Sequence, residues 1–459
     1  MGKCTALLLA LFVIAVFFIV LPLPVNAGSR TIVVPEDYQT ISVAIENAAE
    51  GDTIFVREGT YMGPINQTLV IDKAITLSGE DEKTTIINLD PPLVPMRMLT
   101  LDYMGYLDAI DVESNNVKIS GFTINTPGGV ISIKGNSTQI MNNKMTTGLS
   151  VDGSYAKIVT NTIESSYQYS ISLLGSYHDV SKNIIGGRAS IGVYCEGAYN
   201  IIAANEITSS TQDGVLLKGS SNIIYGNTLT NENSRSIDVS GEGNLVAKNN
   251  LTIIGSLSMS GVENIAYSNI VGTLSTAGNN NTFIANNVQY GVFIGSTIDD
   301  ASNITFCSNN FYFTPVDVRP PGEKIFEVWS GVHGPVFLDN GKEGNYWSDY
   351  KGSDWNFDGK GDTPYIIYAN DTKNYEFTAD FDISNIILTD NHPLMVPLDV
   401  SSVTIPLPEW AASVSSLTEE PSDSNSPKPF PTSYVAVTLG AIAFIVGASL
   451  LAYFRRRRR

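Results

Sequence analysis

Four oxygen-bearing side chains with the spacing of metal ligands stand near the C-terminal end of the chain. Hard oxygen ligands at positions 1, 3, 5 and 9, with Gly359 at the sharp-turn position 6, suit an EF-hand-like calcium loop. Tyr365 takes position 12, where a bidentate Glu is expected, so another carboxylate would have to substitute or the affinity would be low. The alternative is a Gly- and Asn-rich turn with solvated acids. The sequence favours a Ca²⁺ site, and the candidate ligands are Asp354, Asn356, Asp358 and Asp362.

Aromatic residues crowd beside this loop, and two interpretations of them are open. Their rings are candidates for stacking on sugars, which would make this a carbohydrate-binding surface. The same rings would also serve as the small core of a terminal module, which the sequence favours. The residues are Tyr346, Trp347, Tyr350 and Trp355.

Copper is the second metal that the sequence brings to consideration. It would need His, Met or Cys in a cluster, and the chain has only three histidines, His178, His333 and His392. His178 falls in a turn position that asparagines occupy elsewhere, so we expect a substituted turn residue. Loop packing is the simpler account of the loose thioether group, and copper is not expected. That group is Met96, Met98 and Met104.

A repeat of 17 to 22 residues must position these groups. An apolar residue precedes each recurring asparagine by three positions and another apolar residue follows it by two, with local alternation of period two. Period two predicts strands, and stacked coils of strands form a right-handed parallel β-helix. We predict this all-β solenoid over residues 28–312, with the asparagines stacked as an amide ladder at a turn. They are Asn143, Asn161, Asn183, Asn205, Asn227, Asn249, Asn269 and Asn286.

The coil geometry makes further predictions. Cys195 falls in an inward column, and Cys307 lies about five coils later, or roughly 24 Å along the axis, so no disulfide should join them. An amphipathic helix with Ile41, Ala44 and Ile45 on one face should cover the open N-terminal end.

The outward positions of the repeat offer little for catalysis. Glycosidases need two opposed carboxylates, whereas lyases need a base and a group that neutralises the uronate. The outward groups form no paired-carboxylate pattern, so the sequence favours a non-catalytic role. They are Arg188, Tyr194, Asp213, Arg235 and Asp238.

Both ends of the chain carry targeting signals. Residues 1–27 are typical of a secretory signal peptide with cleavage after Ala27. Residues 433–454 are long and apolar enough for a transmembrane helix, and the arginines at 455–459 should keep that end cytoplasmic. A Ser- and Pro-rich stretch at 401–432 reads as a solvated stalk. The sequence therefore predicts a single-pass cell-membrane protein with its bulk outside.

Composition agrees with an extracellular, non-nucleic-acid role. The 459 residues carry a net charge of −19, so phosphate backbones would be repelled. With 43% hydrophobic and 16% charged residues, disorder is not expected. Six sequons are glycosylation candidates: Asn66, Asn136, Asn250, Asn280, Asn303 and Asn370.

The chain resembles a known family in three places. The opening runs YQTI at 38–41, GDTIFV at 51–56 and GTY at 59–61 resemble secreted parallel β-helix proteins. The Asn-x-Ile repeat, with GNYWSDY at 344–350, DWNFDGKGDTPY at 354–365 and HPLM at 392–395, resembles NosD-like surface proteins of archaeal type. Their repeats are also described as carbohydrate-binding and sugar-hydrolase (CASH) repeats. The resemblance implies a pectin-lyase-like β-helix with a C-terminal module at 313–400.

Together these features predict a membrane-anchored, extracellular surface or adhesion scaffold with a carbohydrate-binding role and a polysaccharide or surface glycan as partner. The alternatives are a polysaccharide lyase or glycoside hydrolase and, by the family name, a copper-binding protein.

Overall fold

The fold is taken from a computed structural model, which describes residues 29–92, 108–126, 128–208, 212–230, 235–251, 255–295, 301–312, 325–328, 332, 334–368 and 387–417. Within these ranges no helix is both long and apolar enough to cross a membrane. The predicted signal peptide, transmembrane helix and arginine tail lie outside the described residues.

The chain winds into a solenoid whose coils pair strand on strand, in parallel, on three faces. Face 1 is a fourteen-stranded sheet. Its strands are Thr31–Val34, Thr53–Val56, Thr76–Gly79, Lys118–Ser120, Gln139–Met141, Lys157–Val159, Asp179–Ser181, Ile201–Ala203, Ile223–Tyr225, Leu245–Ala247, Ile265–Tyr267, Thr282–Ile284, Ile304–Cys307 and Val336–Phe337.

Faces 2 and 3 join where Ile270–Thr276 and Asn287–Ile294 run through both. The other strands of face 2 are Gly59–Ile65, Thr85–Asp90, Thr123–Asn125, Lys144–Met145, Thr162–Ser165, Ile184–Gly187, Glu206–Ile207, Thr228–Leu229, Asn250–Leu251, Asn310–Phe311 and Tyr346–Trp347. The other strands of face 3 are Leu69–Ile71, Asp108–Val112, Val130–Ile133, Leu149–Asp152, Tyr169–Leu174, Ile191–Ala198, Asp213–Ser220, Arg235–Glu242, Ser256–Val262, Gly278–Asn279, Ala301–Ser302 and Ile325–Val328.

The core is a set of aliphatic columns along the solenoid axis. Alternate residues of each strand point inward, and the register places Ile171, Val193 and Val215 one above another with no solvent exposure. Each buried aliphatic side chain contributes about 1.5–3 kcal/mol of transfer free energy, so repetition of the column stabilises the whole solenoid. Cys195 lies buried in the next inward column and forms no disulfide with Cys307, as predicted, and Cys307 is also buried.

The predicted asparagine ladder is confirmed. The Oδ1 atom of Asn205 accepts hydrogen bonds from the backbone N–H and from Nδ2 of Asn183, at 3.0 and 2.9 Å. Its Nδ2 donates to the carbonyl of Val180, at 2.8 Å. Each asparagine therefore satisfies backbone groups that the turn would otherwise leave buried and unpaired. The ladder also continues beyond the predicted residues through Asn309 to Asn345.

A second ladder follows face 3. It contains Asn200, Asn222, Asn244, Asn264 and Asn281, and His178 occupies the first position as a substituted ladder residue, as predicted. Before it, the glycines at 175, 197, 219 and 241 mark the predicted turn. A Cβ on Gly219 would lie 1.8 Å from the carbonyl oxygen of Gly197, so no other residue fits this stack.

A short helix, α1 (Ile41–Asn47), lies against the first coils. Thr40 caps it, because its hydroxyl accepts a hydrogen bond from the N–H of Val43. Ile41, Ala44 and Ile45 are buried, which is the face that the spacing predicts.

The solenoid extends past residue 312, where the sequence predicts its end. Ile325–Val328 pairs with Gly291–Ile294, and Tyr346–Trp347 pairs with Asn310–Phe311. The first part of the predicted C-terminal module is therefore the last coil. Outside the coils, an antiparallel hairpin joins Tyr365–Tyr368 to Ile387–Asp390.

Residues 398–417, which we call the strap, run back along face 1. The strap contains the 3₁₀ helices Val400–Ser402 and Glu409–Leu417. Ile405, Ala411 and Val414 are buried in a separate apolar cluster with face-1 residues. The prediction of a solvated stalk is therefore wrong for residues 401–417, because outward apolar side chains on face 1 give these residues a surface to bury. Those side chains include Ala203, Ile223, Tyr225 and Ala247.

Candidate functional site on the outer side of face 3

A row of small residues runs along the outer side of face 3. Ser132, Ser150 and Ser172 stand in register in consecutive coils. The row begins at Asp111, which pairs with Ser132, and ends at Tyr194, which pairs with Ser172. With about 4.8 Å between paired strands, the row is roughly 19 Å long. The face thus offers a floor of hydroxyl groups between two ends of different chemistry.

Aromatic rings form one end. Tyr169 and Tyr194 stack with ring centroids 5.0 Å apart, and the Nζ of Lys218 lies 5.7 Å from the centre of the Tyr194 ring. The Tyr194 hydroxyl donates to the carboxylate of Glu196. Burial and the Glu196 hydrogen bond both raise the pKa of Tyr194, so its hydroxyl is protonated at neutral pH. Rings, hydroxyls and a cation together are suited to hold a polar, ring-shaped ligand.

Charged residues form the other end. The Nζ of Lys134 lies 2.6 Å from Oδ2 of Asp111, whose side chain is only 10% exposed. The other oxygen, Oδ1, is buried and accepts no hydrogen bond from any described residue. Burial and the Asp111 carboxylate raise the pKa of the half-buried Asp108, while Lys134 opposes them. The hydrogen bond to Asp111 raises the pKa of Lys134, which stays protonated.

This cluster was missed in the sequence. The coils before Asn143 have irregular spacing, so the outward position of Asp111 could not be derived from the repeat. The motif Asp108-x-x-Asp111 alone carries no such information. The only sign of the charged cluster in the sequence is that two acidic residues interrupt an otherwise apolar strand.

The predicted outward residues lie on or near this face. Asp238 lies in the same outward register, two coils beyond Tyr194. Arg188 is exposed and Asp213 half-buried at the beginning of its strand. The side chain of Arg235 lies outside the described residues.

The candidate calcium loop is exposed and organised by its own side chains. The Asp354 carboxylate accepts from the N–H groups of Asp358 and Gly359, at 3.2 and 2.9 Å. Asn356 Oδ1 also accepts from Asp358, and Asp362 accepts from the N–H of Trp355. Among the described residues, no three His, Cys, Asp or Glu side chains are grouped as a metal would require. The Ca²⁺ site stays a prediction.

The predicted aromatic candidates divide into two groups. Trp347 is 1% exposed and stacks between Phe311 and Tyr365, at 4.6 and 4.3 Å. It has no face free for a sugar, so the core alternative applies to it. Tyr346 and Tyr350 are half-buried, and Trp355 is 80% exposed beside the loop.

Three copper candidates, Met96, Met98 and Met104, lie outside the described residues, as does His333. His178 is 1% exposed, and burial lowers its pKa to about 4. His392 lies 3.7 Å from Asp339, in a different part of the chain. Five glycosylation candidates are exposed, at Asn66, Asn136, Asn250, Asn280 and Asn303, and Asn370 lies outside the described residues.

A second aromatic stack stands on the edge between faces 3 and 1. Tyr155, Tyr177 and Tyr199 stack at 5.0 and 5.1 Å, all with positive φ, and Trp410 of the strap meets Tyr199 edge-on. The repeat pattern of the sequence does not indicate this stack. Its rings cover one another and one of them holds the strap, which accounts for them structurally.

Comparison with known proteins agrees with this architecture. Residues 147–256 match the family described as "Right handed beta helix region". The fold is a right-handed parallel β-helix. The search of curated proteins gives no match.

Several solved structures are similar in fold. The catalytic unit of a thermostable GH87 alpha-1,3-glucanase from Streptomyces thermodiastaticus strain HF3-3 is 15% identical, covering 67% of this chain and 69% of that chain, with a TM-score of 0.47. The Dettilon tailspike protein is 14% identical, covering 74% and 73%, with a TM-score of 0.46. An alginate lyase from Paenibacillus sp. is 15% identical, covering 66% and 99%, with a TM-score of 0.33.

Proposed function

We propose that this protein is an extracellular β-helix that binds carbohydrate along the outer side of face 3. The observation that carries the proposal is the stacked pair Tyr169 and Tyr194 beside the serine row. Stacked rings present a flat apolar surface, and neighbouring hydroxyls supply hydrogen bonds to a sugar. The floor of small residues leaves room above it for a chain of sugar units.

The order of the coils at the aromatic end supports binding of a sugar chain along the serine row. Lys218 contacts the Tyr194 ring from the following coil, whereas Tyr169 stacks on it from the preceding coil. Because consecutive coils stack along the axis, the free side of the pair is turned toward the coil of Ser150. A sugar ring placed over Ser150 and Ser132 would then meet the Tyr169 ring at one end of the row.

The proposal is tested by binding. The full chain in detergent micelles would be screened on a glycan array, and the best glycan titrated by calorimetry. Tyr194→Ala should weaken binding at least tenfold, which corresponds to about 1.4 kcal/mol. Tyr177→Ala is the matched control, since it removes an exposed stacked tyrosine on another edge. Equal affinity of both variants and the wild type would refute the proposed surface.

We also propose that the chain is a NosD-like surface protein anchored in the cell membrane. The supporting residues are the motifs at 344–350, 354–365 and 392–395, the apolar run at 433–454 and the arginines after it. Removal of residues 1–27 would be read from the N-terminus of the mature protein by mass spectrometry. Release of the protein from membranes by alkaline carbonate would contradict an integral anchor.

The remaining proposals concern the two ends of the ectodomain. The exposed loop at 354–362 would bind Ca²⁺ through its carboxylates, with Trp355, Tyr346 and Tyr350 as a secondary sugar contact. Helix α1 would close the N-terminal end of the solenoid, since its apolar face is buried there. Nothing in the residues described favours copper.

A further inference from the structure

The tyrosine stack on the edge between faces 3 and 1 ends in an open aromatic ring. Tyr177 stacks on Tyr155 from the following coil, with parallel rings whose centroids are 5.0 Å apart. In the preceding coil Ser137 holds the same corner position, also with positive φ, and its side chain is too small to cover a phenol ring. Tyr155 is 46% exposed. The stack is therefore uncovered at this end, whereas Trp410 contacts Tyr199 at the other.

A glycosylation sequon lies directly beside this open ring. Asn136 is exposed and begins the sequence Asn136-Ser137-Thr138. The N–H of Ser137 donates to the carbonyl of Ser154 at 2.9 Å, which fixes Ser137 one coil before Tyr155. The sequon and the ring are therefore neighbours at the same corner, separated along the axis by about one coil spacing of 4.8 Å.

The side-chain amide of Asn136 is oriented so that its nitrogen stays available. Its Oδ1 accepts a hydrogen bond from the N–H of Ser154 at 2.8 Å, while its Nδ2 donates to no described residue. A sugar on an asparagine is attached through Nδ2, and Oδ1 remains a carbonyl acceptor. The bond to Ser154 therefore persists in a glycosylated protein, and it holds the attachment point beside the coil of Tyr155.

Three other sequons lack this combination. The Nδ2 atom of Asn303 donates to Oδ1 of Asn280 at 2.6 Å, so these two amides are bonded to each other. Asn250 lies on face 2, where its neighbours in both adjacent coils are not aromatic. Asn136 thus has both an available Nδ2 and an open ring in the next coil.

The open ring is suited to contact a sugar. One face of a pyranose ring carries mainly C–H groups, and an aromatic ring offers a flat apolar surface to it. A sugar placed over Ser137 would take the position that a further tyrosine would have in the stack, about 4.8 Å from the coil of Tyr155. It would remove apolar surface of the ring from water, which stabilises the contact.

We propose that Asn136 carries an N-linked glycan whose first sugar stacks on Tyr155, an inference that rests on the proposed extracellular location and not on the face-3 surface. Nδ2 of Asn136 forms a bond to C1 of an oligosaccharide carried on a lipid phosphate. The C1–O bond to the phosphate breaks, its electrons stay on the phosphate oxygen, and the amide releases one proton. Thr138 is fully buried and its hydroxyl donates to the carbonyl of Gly135 at 3.1 Å, so the sequon is modified before this coil closes.

The test begins with glycopeptide mass spectrometry of the full chain purified from its own cells, which should show a glycan on Asn136. Hydrogen exchange of residues 153–157 should be about 2- to 10-fold slower in this protein than in the chain from a host without N-glycosylation, because the stacked sugar opposes local opening. Asn136→Asp keeps an oxygen for the N–H of Ser154 and should lose this protection.

Two tyrosine variants separate stacking from attachment. The protection by the glycan should disappear in Tyr155→Ala. Tyr177→Ala is the matched control, since it removes a similarly exposed ring one coil further from Asn136 and should keep the protection. A glycan on Asn136 that protects residues 153–157 equally in Tyr155→Ala would refute the stacking.

The pattern of modification separates this inference from the proposed location. An unmodified Asn136 in a chain that carries glycans at other sequons would overturn the inference alone. Absence of glycans from every sequon would also overturn it. If protease added to intact cells then failed to cleave the chain, the proposed extracellular location would be wrong as well.

Discussion

Asp390 accepts a hydrogen bond from Asn345, the last residue of the asparagine ladder. Its Oδ2 atom accepts the backbone N–H of Asn345 at 2.7 Å and the indole N–H of Trp347 at 2.8 Å, while its Oδ1 accepts the N–H of His392 at 3.0 Å. Asp390 is fully buried, and burial raises its pKa. The carboxylate therefore ends the ladder by satisfying donors that would otherwise be orphaned, and it ties the hairpin to the last coil.

Asp390→Ala should destabilise this end of the molecule. Loss of the carboxylate leaves three N–H donors without their acceptor, two of them buried, at about 1–3 kcal/mol for each buried group, partly offset by removal of a buried charge. Hydrogen exchange should quicken at Asn345 and Trp347 and stay unchanged at Asn205. Unchanged protection at Asn345 would show that the ladder end does not depend on Asp390.

Adjacent asparagines should respond differently to substitution. Asn249 is 1% exposed, and its Oδ1 accepts from Asn227 while its Nδ2 donates to the carbonyl of Ile224. Asn249→Ala should lower the free energy of unfolding by about 2–4 kcal/mol, because several buried groups lose partners. Asn250→Ala, at the exposed neighbour, should stay within about 0.5 kcal/mol of wild type.

Urea titration of both variants, made in a host without N-glycosylation, would measure the difference. An equal loss of unfolding free energy in Asn249→Ala and Asn250→Ala would mean that strand propensity causes the effect and the ladder does not.

His178 should make the solenoid sensitive to acid. Burial lowers its pKa from 6.5 to about 4, so the unfolded state binds more protons between these values. Stability is therefore fully present above about pH 6.5 and is lost as pH falls toward 4, by up to about 3 kcal/mol. His178→Asn restores the residue type of its ladder and should flatten that loss in thermal melts from pH 7 to 4. A variant with the same acid dependence as wild type would exclude His178 as its source.

Calcium should stabilise the full chain through the loop at 354–362. A ligand that binds the folded state raises its stability by linkage, so melting temperature should rise with Ca²⁺ concentration. Asp358→Ala should reduce that rise, and Asp72→Ala, at an exposed acid elsewhere, should not. Identical Ca²⁺ responses in the two variants would leave the loop as a solvated turn.

The strap should detach when its apolar contacts are broken. Val414 is 1% exposed in the cluster with Tyr225 and Ala247. Val414→Asp would bury a charge without a partner, so residues 398–417 should become sensitive to limited proteolysis while the coils stay resistant. Glu409→Ala, on the exposed side of the same segment, is the control. Equal protection in Val414→Asp would mean that Leu398 and Val400, through Asn310 and Ser268, suffice to hold it.

The regular coils were predictable because each coil repeats the same pattern of inward apolar residues and ladder asparagines. The spacing from Asn161 to Asn249 fixed strand register, inward columns and ladder positions, and the structure agrees residue by residue. Cys195 and His178 followed from the columns in which they stand. Local sequence sufficed there, since every coil contacts only its neighbours.

What the sequence missed depends on contacts between distant segments. The strap reads as polar and flexible, and only the apolar outer residues of face 1, such as Ile223, give Ile405 and Val414 a place to bury. The sequence favoured a core position for Trp347, but its neighbours Phe311 and Tyr365 could not be identified without the structure. Asp108 and Asp111 come together with Lys134 only through a register that the irregular early coils hide.

The strap also restricts how the solenoid can change in length. It is held at one end by Asn310, which exchanges two hydrogen bonds of 2.8 Å with Leu398, and at the other by Trp410 against Tyr199. A coil inserted between Tyr199 and Asn310 would stretch this fixed segment and pull one attachment loose. A coil inserted before Tyr155 would leave both attachments in place. The strap therefore limits the number of coils between Tyr199 and Asn310, whereas a change in the number of coils before Tyr155 moves neither attachment.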